Sequence, residues 1–195
     1  MTNSTLPIGL AILALCVSSL DAGPPNGWFM AGSKPSDYDT GNDPEATYMG
    51  HPSVRMKSLK PAIEGFGTMM QSISANQYQG KRIRFSANVR SLEIDESAGW
   101  AGLWVRVDKG TSSVAFDNMQ KREIKGTSPW RKYEVVLDVP RDATGIAFGI
   151  LLHGTGTVWI NGGKFEVVDS SVPVTDLKLN KSTPSDGPAN LGFDK

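Results

Sequence analysis

The chain has 195 residues, enough for one domain with a hydrophobic core, and its 20 Lys and Arg residues balance its 20 Asp and Glu residues. This zero net charge excludes the strongly basic composition typical of nucleic-acid-binding proteins, so we expect no nucleic-acid partner. One cysteine and two histidines leave little scope for metal or thiol chemistry. We therefore expect no metal ion and no other cofactor.

The N-terminal residues predict an export signal. Residues 6–20 form an apolar run that is short for a membrane span, and Ala22 follows it. Because no Lys or Arg precedes Lys34, an uncleaved anchor is the alternative. A lipoprotein at Cys16 ranks third, since Leu15 is bulky where a small residue is preferred. Cleavage after Ala22 predicts a bacterial protein of the periplasm or the extracellular space, with no stable membrane span.

Alternating apolar and polar residues predict β-strands from residue 27 to residue 168, and no stretch has a convincing helical period. Residues 33–42 are a predicted loop, and residues 158–168 are a predicted closing hairpin around Gly162 and Gly163. Short strands separated by Gly-rich turns indicate an all-β fold, an antiparallel β-sandwich of the jelly-roll type. The predicted organisation is a signal peptide (1–22), a β-sandwich domain (23–168) and a C-terminal segment (169–195).

The C-terminal segment changes composition within itself. Residues 169–188 are rich in Ser, Pro, Thr, Asp and Lys, whereas Asn190-Leu191-Gly192-Phe193 is apolar again. Two interpretations stay open: a disordered tail, or a linker whose apolar end docks back on the sandwich beside an exposed strand edge.

The strand at residues 99–108 is the most informative part of the sequence. Its apolar residues Ala101, Leu103, Val105 and Val107 predict a face in the core. The opposite face carries Trp100, Trp104 and Arg106. Trp offers a flat apolar surface and Arg a planar fork of donors, which together suit a sugar or another polyhydroxylated ligand. The alternative is that a second layer of the protein covers these side chains.

Outward residues of strands that we expect to be neighbours extend this face into a predicted ligand-binding site. Its members are Asn88, Arg90, Trp100, Trp104, Arg106, Asp117, Asn118 and His153. For Asp117 and Asn118 the alternative role is to cap the backbone of a turn. For His153 the alternative is an ordinary surface histidine.

Motifs of catalysis do not occur in the sequence. It contains no Gly-x-Ser-x-Gly elbow, no His-Glu-x-x-His and no Walker loop. A glycosidase would need two carboxyl groups facing each other across a cleft, and no second carboxyl can be paired with Asp117. The chain is therefore predicted not to be an enzyme, and a carbohydrate-active hydrolase is the enzymatic alternative.

One resemblance covers residues 28–168. The order of residues resembles galactose-binding-like jelly-roll modules, which include many carbohydrate-binding modules of secreted glycosidases, at Gly126-Thr127-x-x-Trp130-x-x-Tyr133, Val139-Pro140 and Val158-Trp159-Ile160. These positions imply the sandwich fold rather than a particular ligand. Modules of this kind often carry a structural calcium ion held by an Asp after the Val-Trp-Ile strand. Asn161 stands at that place here, which argues against calcium.

A second resemblance is to exported bacterial proteins that are often labelled AraC-type transcriptional regulators. The shared residues are Gly65-Phe66-Gly67-Thr68, Gly99-Trp100-Ala101-Gly102-Leu103-Trp104, Phe116-Asp117-Asn118-Met119 and the terminal Asn-Leu-x-Phe. A regulator needs a helix-turn-helix and a basic docking face, and neither is visible in the sequence.

These observations leave two leading hypotheses. In the first, the chain is a non-catalytic exported module that binds a carbohydrate or similar ligand on its outward aromatic and Arg face. In the second, it is a structural or protein-interaction domain whose aromatic face is covered by the chain itself or by a protein partner. A regulator-associated protein, as in the labels of its relatives, is a further alternative.

Overall fold

The structure, a computed structural model, describes residues 23–177. These residues form ten β-strands and one short 3-10 helix, Pro35–Asp37. The strands are β1 (Phe29–Gly32), β2 (Tyr38–Tyr48), β3 (His51–Ser58), β4 (Phe66–Ser74), β5 (Arg82–Ile94), β6 (Trp100–Lys109), β7 (Ser112–Asp117), β8 (Gly126–Asp138), β9 (Gly145–His153) and β10 (Thr157–Val168).

The strands form two five-stranded sheets. Sheet 1 has the order β1-β4-β9-β6-β7, and sheet 2 has the order β2-β3-β10-β5-β8. All pairs of neighbouring strands are antiparallel. The predicted all-β antiparallel sandwich is thus confirmed.

The core lies between the inner faces of the two sheets. Residues of β6 that were predicted to face inward, Ala101, Leu103, Val105 and Val107, are all completely buried. The inner face of β9 packs beside them, and the inner face of β5 packs opposite from sheet 2. The period-2 alternation in the sequence therefore predicted the core side of these strands correctly, because successive side chains point to opposite faces.

Two details of the predicted strands were wrong. Residues 38–42 belong to β2 rather than to a loop, and Tyr38 and Thr40 are buried on its inner side. Their alternation with Asp39 and Gly41 was masked by the polar composition of the segment. Residues 158–168 form one strand rather than a hairpin: the Gly pair at 162–163 makes a bulge in the pairing of β10 with β5, and Gly162 has a φ of +63°.

Tyr38 connects the two sheets at one end of the sandwich. It belongs to β2 of sheet 2, and its hydroxyl donates to the carbonyl oxygen of Gly154 at 2.9 Å beside sheet 1, with the carbonyl oxygen of Gly65 as a weaker second acceptor at 3.3 Å. Its ring lies against Gly67, where a Cβ atom would overlap it. Burial, aided by the negative charge of Asp37, raises the pKa of Tyr38 to about 12.

The predicted signal peptide and the apolar end of the C-terminal segment lie outside the described residues, so both stay predictions. Within residues 23–177, no helix has the length and apolar character needed to cross a membrane.

Candidate functional site

A second apolar cluster lies on the outer face of sheet 1, away from the core. Its buried members are Trp104, Ala147 and Leu151. Partly buried aromatic and Met side chains surround them, namely Phe66, Met70, Trp100 and Phe116. An outer sheet face normally meets water, so an apolar cluster there is a candidate ligand site or interface.

Strand register explains why these side chains meet. Phe66, His153 and Trp100 form one row across β4, β9 and β6, and Met70, Gly149 and Trp104 form another. Between the two rows lie Leu151 and Gly102, which pair with each other. A hollow lies between the aromatic side chains of these rows.

This hollow is a pocket of about 380 Å³, within the size range of ligand pockets. We call it the aromatic pocket, and its lining residues are Ala31, Gly32, Phe66, Thr68, Met70, Trp100, Trp104, Arg106, Phe116, Asn118, Leu151 and His153. Most of these side chains are apolar, and the polar ones are Thr68, Arg106, Asn118 and His153. Such a pocket can hold an apolar ring face while a few polar groups orient it.

Trp104 forms a fixed wall of the pocket. Its indole N–H donates to the hydroxyl of Thr68 at 2.7 Å, and that hydroxyl donates to the carbonyl oxygen of Ile150 at 2.8 Å. The side chain of Trp104 is only 7% exposed. Because its one donor is already used inside the protein, Trp104 offers a ligand only apolar ring surface.

Trp100 forms a second wall together with His153. Their rings stack at a centroid distance of 6.3 Å and an interplanar angle of 16°. The Nδ1 atom of His153 lies 3.1 Å from the carbonyl oxygen of Ala98, which assigns the proton of a neutral ring to Nδ1. The Nε2 atom is then a hydrogen-bond acceptor.

Arg106 and Asn118 supply the other polar groups. Arg106 lies on β6 with its side chain 46% exposed, and its Nε atom is 3.0 Å from the carboxylate of Asp108. Asn118 follows β7, and its Oδ1 atom accepts the backbone N–H of Gln120 at 3.2 Å. Asp108 orients the guanidinium of Arg106 beside the pocket, which suits it to donate to hydroxyl or carboxylate oxygens.

Asp117 was predicted to contact the ligand, but the structure places it away from the pocket. It is completely buried. One carboxylate oxygen accepts the backbone N–H of Met119 at 2.8 Å, and the other accepts a hydrogen bond from Arg122 at 2.6 Å. Asp117 therefore has the capping role that was its alternative, and it holds the turn that presents Asn118.

Asn88 and Arg90 were expected beside Trp100, and this grouping is wrong. Both belong to β5, which lies in sheet 2, whereas the aromatic pocket lies on sheet 1. The guanidinium carbon of Arg90 lies 4.8 Å from the ring centroid of Trp159. Arg90 thus makes a cation–π contact within its own sheet.

Asp43 also contacts Trp159: its Oδ2 atom accepts the indole N–H of Trp159 at 2.8 Å. Burial alone would raise the pKa of Asp43, but this hydrogen bond, two backbone N–H groups and the charge of Arg55 together hold that pKa below its usual value. The contacts with Arg90 and Asp43 therefore hold the side chain of Trp159 against sheet 2.

Asn161 occupies the position at which the resembling modules carry calcium, and its surroundings do not fit a cation. The side-chain amide nitrogen of Asn161 donates to the carbonyl oxygens of Pro52 (2.7 Å) and His51 (3.2 Å). The carbonyl oxygens of His51 and Pro52 thus accept an N–H donor, whereas calcium requires several free oxygen ligands. In the part of the chain that the structure describes, no cluster of three or more His, Cys, Asp or Glu residues could hold a metal ion.

Several pocket residues were missed by sequence reasoning, above all Phe66, Thr68, Met70, Phe116 and Leu151. A signal existed for β4, where Phe66, Thr68 and Met70 alternate with inward residues. No such signal joins β4 to β6, because the strand between them in the sheet, β9, is distant from both in sequence.

Comparisons with known proteins found solved structures with the same fold and a relative with a similar sequence. No protein-family model matches the chain. A Bacillus subtilis protein named an uncharacterized HTH-type transcriptional regulator, YbfP, is 40% identical over 171 residues, which are 87% of this chain and 57% of that protein. The chain thus spans little more than half of this relative's length.

Three solved structures share the fold at low sequence identity. The CBM22-1 xylan-binding domain of Paenibacillus barcinonensis Xyn10C is 15% identical, covers 76% of this chain and 90% of its own, and has a TM-score of 0.51. The C-terminal family 22 carbohydrate-binding module of Clostridium thermocellum Xyn10B is 17% identical, with coverages of 77% and 92% and a TM-score of 0.52. A Stig cyclase from Fischerella sp. TAU, solved with an indole derivative, is 12% identical, with coverages of 80% and 92% and a TM-score of 0.52.

Proposed function

We propose that this chain is a non-catalytic ligand-binding module whose aromatic pocket takes a carbohydrate or a similar polyhydroxylated ligand. The observation that carries the proposal is the pocket itself, with apolar ring surfaces from Trp100 and Trp104 and polar groups from Arg106, Asn118 and His153. Sugars present an apolar C–H face and a rim of hydroxyl groups, and the pocket offers a partner for each.

The pocket has no pair of facing carboxyl groups. Its lining residues include no Asp and no Glu, so it lacks the groups of an acid–base glycoside hydrolase. Binding without turnover is the activity that these side chains support.

Two comparisons are compatible with this proposal. Two of the solved structures with this fold are described as carbohydrate-binding modules, one of them xylan-binding. The Bacillus subtilis relative is named a transcriptional regulator, a description of a protein of which this chain spans 57%. Residues 23–177 form no α-helix, so the proposal for this chain is confined to the binding of a ligand.

The proposal is tested by glycan-array screening of the full chain, followed by calorimetric titration of the best-binding glycan. Trp100→Ala removes one partly buried ring wall, and we expect affinity to fall about 5- to 30-fold, equivalent to about 1–2 kcal/mol.

Trp130→Ala is the matched control. Trp130 belongs to β8 of sheet 2, packs against Tyr48 at a centroid distance of 5.4 Å and does not line the pocket. Binding should survive this change. Absence of binding to any glycan, or equal losses in the two Trp variants, would contradict a carbohydrate site in the aromatic pocket.

A further inference from the structure

The chain leaves the sandwich beside the aromatic pocket. After β10 it crosses to β8, where the backbone N–H of Thr175 donates to the carbonyl oxygen of Val136 at 2.8 Å. It then reaches β7: the backbone N–H of Phe116 donates to Asp176 Oδ1 at 3.1 Å, and the N–H of Leu177 donates to the carbonyl oxygen of Phe116 at 2.9 Å. Phe116 is itself a pocket-lining residue.

β7 is the edge strand of sheet 1 at this point. An edge strand offers backbone N–H and carbonyl groups to any chain that runs along it. Residues 176 and 177 already use this edge at Phe116. Residues 176 and 177 are therefore held by hydrogen bonds beside Phe116, one of the walls of the pocket.

Eighteen residues follow Leu177 in the sequence, and their far end carries two large apolar side chains, Leu191 and Phe193. The spacing of two puts these side chains on the same side of an extended segment. At about 3.3 Å per extended residue, the segment can span about 50 Å between Leu177 and Phe193, so it can turn back to the pocket without strain.

The chemistry of the two surfaces is complementary. The aromatic pocket is walled by Met70, Trp104 and Leu151 among other apolar groups, and an apolar occupant would remove this surface from water. Asp194 follows Phe193 directly, and the partly exposed guanidinium of Arg106 lies at the pocket. A carboxylate next to the apolar pair can therefore meet a cation next to the apolar pocket.

We propose that residues 190–193 dock in the aromatic pocket of their own chain and compete with its ligand. The competition with a carbohydrate rests on the proposed function, whereas the docking of residues 190–193 does not. The C-terminal segment then regulates the site: ligand binds only when Leu191 and Phe193 leave the pocket, and the apparent affinity is lowered by the fraction of molecules in which the pocket is filled.

The test uses the full chain labelled with ¹³C at its methionine methyl groups. Met70 lines the pocket and is assigned by the Met70→Leu variant, while Met56 is buried between the sheets and reports on the core. We expect the double variant Leu191→Ser, Phe193→Ser to shift the Met70 resonance and leave Met56 in place. A synthetic peptide of residues 186–195, added in excess to this variant, should restore the Met70 shift.

The matched control is Pro188→Ser with Ala189→Ser, which introduces two serines nearby and keeps both large apolar side chains. It should leave the Met70 resonance where the unchanged chain has it. If the segment fills the pocket nine-tenths of the time, the Leu191→Ser, Phe193→Ser variant should bind glycan about tenfold more tightly.

The two proposals fail in different ways. Met70 resonances that coincide in the unchanged chain and in the Leu191→Ser, Phe193→Ser variant would overturn the docking, whatever the chain binds. A Met70 shift that depends on protein concentration would also overturn it, since the segment would then occupy the pocket of a second copy. A Met70 shift without binding of any glycan would uphold the docking and contradict only the carbohydrate ligand.

Discussion

Trp104 shows how a single residue can serve both the structure and the site. It lies on the outer face of sheet 1, yet it is 7% exposed and donates to Thr68, which in turn donates to Ile150. This chain of hydrogen bonds fixes the angle of the indole ring. The wall of the pocket is therefore rigid without a ligand, which would reduce the ordering cost of the binding that we propose.

Trp104→Phe should lower the free energy of unfolding by about 1–2 kcal/mol, because it deletes the hydrogen bond to the Thr68 hydroxyl and part of the buried ring. Thr68→Val deletes the same hydrogen bond from the other side. Urea unfolding of both single variants and of the double variant measures the coupling.

Since the two changes remove one shared interaction, we expect a coupling free energy of about 1 kcal/mol. Strictly additive losses would show that Trp104 is held by its packing and not by the hydrogen bond.

At the scale of elements, the turn after β7 brings Asn118 to the pocket. The carboxylate of Asp117 caps this turn. Met119 follows with a φ of +64°, and its side chain lies in the core. There its sulfur accepts the backbone N–H of Leu103 at 3.3 Å. The turn lies directly on Gly102 of β6: a Cβ atom there would be 2.7 Å from the carbonyl oxygen of Asn118. Glycine at position 102 is thus required by the close approach of the turn.

Gly102→Ala should displace the turn, destabilise the protein by about 1–3 kcal/mol and weaken ligand binding, because Asn118 moves with the turn. Gly145→Ala is the matched control, since its added Cβ would have no neighbour nearer than 3.9 Å. Thermal unfolding and calorimetric titration measure the two effects.

For Gly145→Ala we expect unchanged binding and stability within about 1 kcal/mol of the unchanged chain. If Gly102→Ala left the stability and the affinity unchanged, the turn would move without a loss of folding free energy, and ligand binding would not depend on the position of Asn118.

At the scale of the whole molecule, Tyr38 joins the two sheets through Gly65 and Gly154. Its folded pKa of about 12 lies above the value of about 10 in an unfolded chain. The neutral hydroxyl is therefore favoured by folding. The stability that it contributes is complete below pH 10 and is lost as the pH rises from 10 towards 12.

We expect Tyr38→Phe to lower the free energy of unfolding at neutral pH by about 1–2 kcal/mol and to flatten the loss of stability between pH 10 and pH 12. Urea titrations at a series of pH values measure both quantities. Tyr48→Phe is the matched control, since it makes the same substitution at a partly buried ring that packs on Trp130. Parallel slopes for the Tyr38 variant and the unchanged chain would refute this role.

The sequence by itself determined the fold class and the inner face of most strands. Leu103 and Val105 of β6 and Ile150 and Leu152 of β9 were predicted to be buried from their alternation alone, because a strand turns its side chains to opposite sides with a period of two. The unusual outer face with Trp100, Trp104 and Arg106 was also visible, since side chains of that type stand out where polar residues are the rule.

Only the tertiary structure decided which strands share that face. Asn88 and Arg90 of β5 alternate as clearly as Trp100 and Trp104 do, yet β5 lies in the opposite sheet. Phe66 and Met70 of β4 join the aromatic pocket through β9, more than 70 residues further along the chain. Alternation is a local property of each strand, whereas the pairing of distant strands depends on how both sheets bury their apolar faces at once, and no single stretch of sequence contains that information.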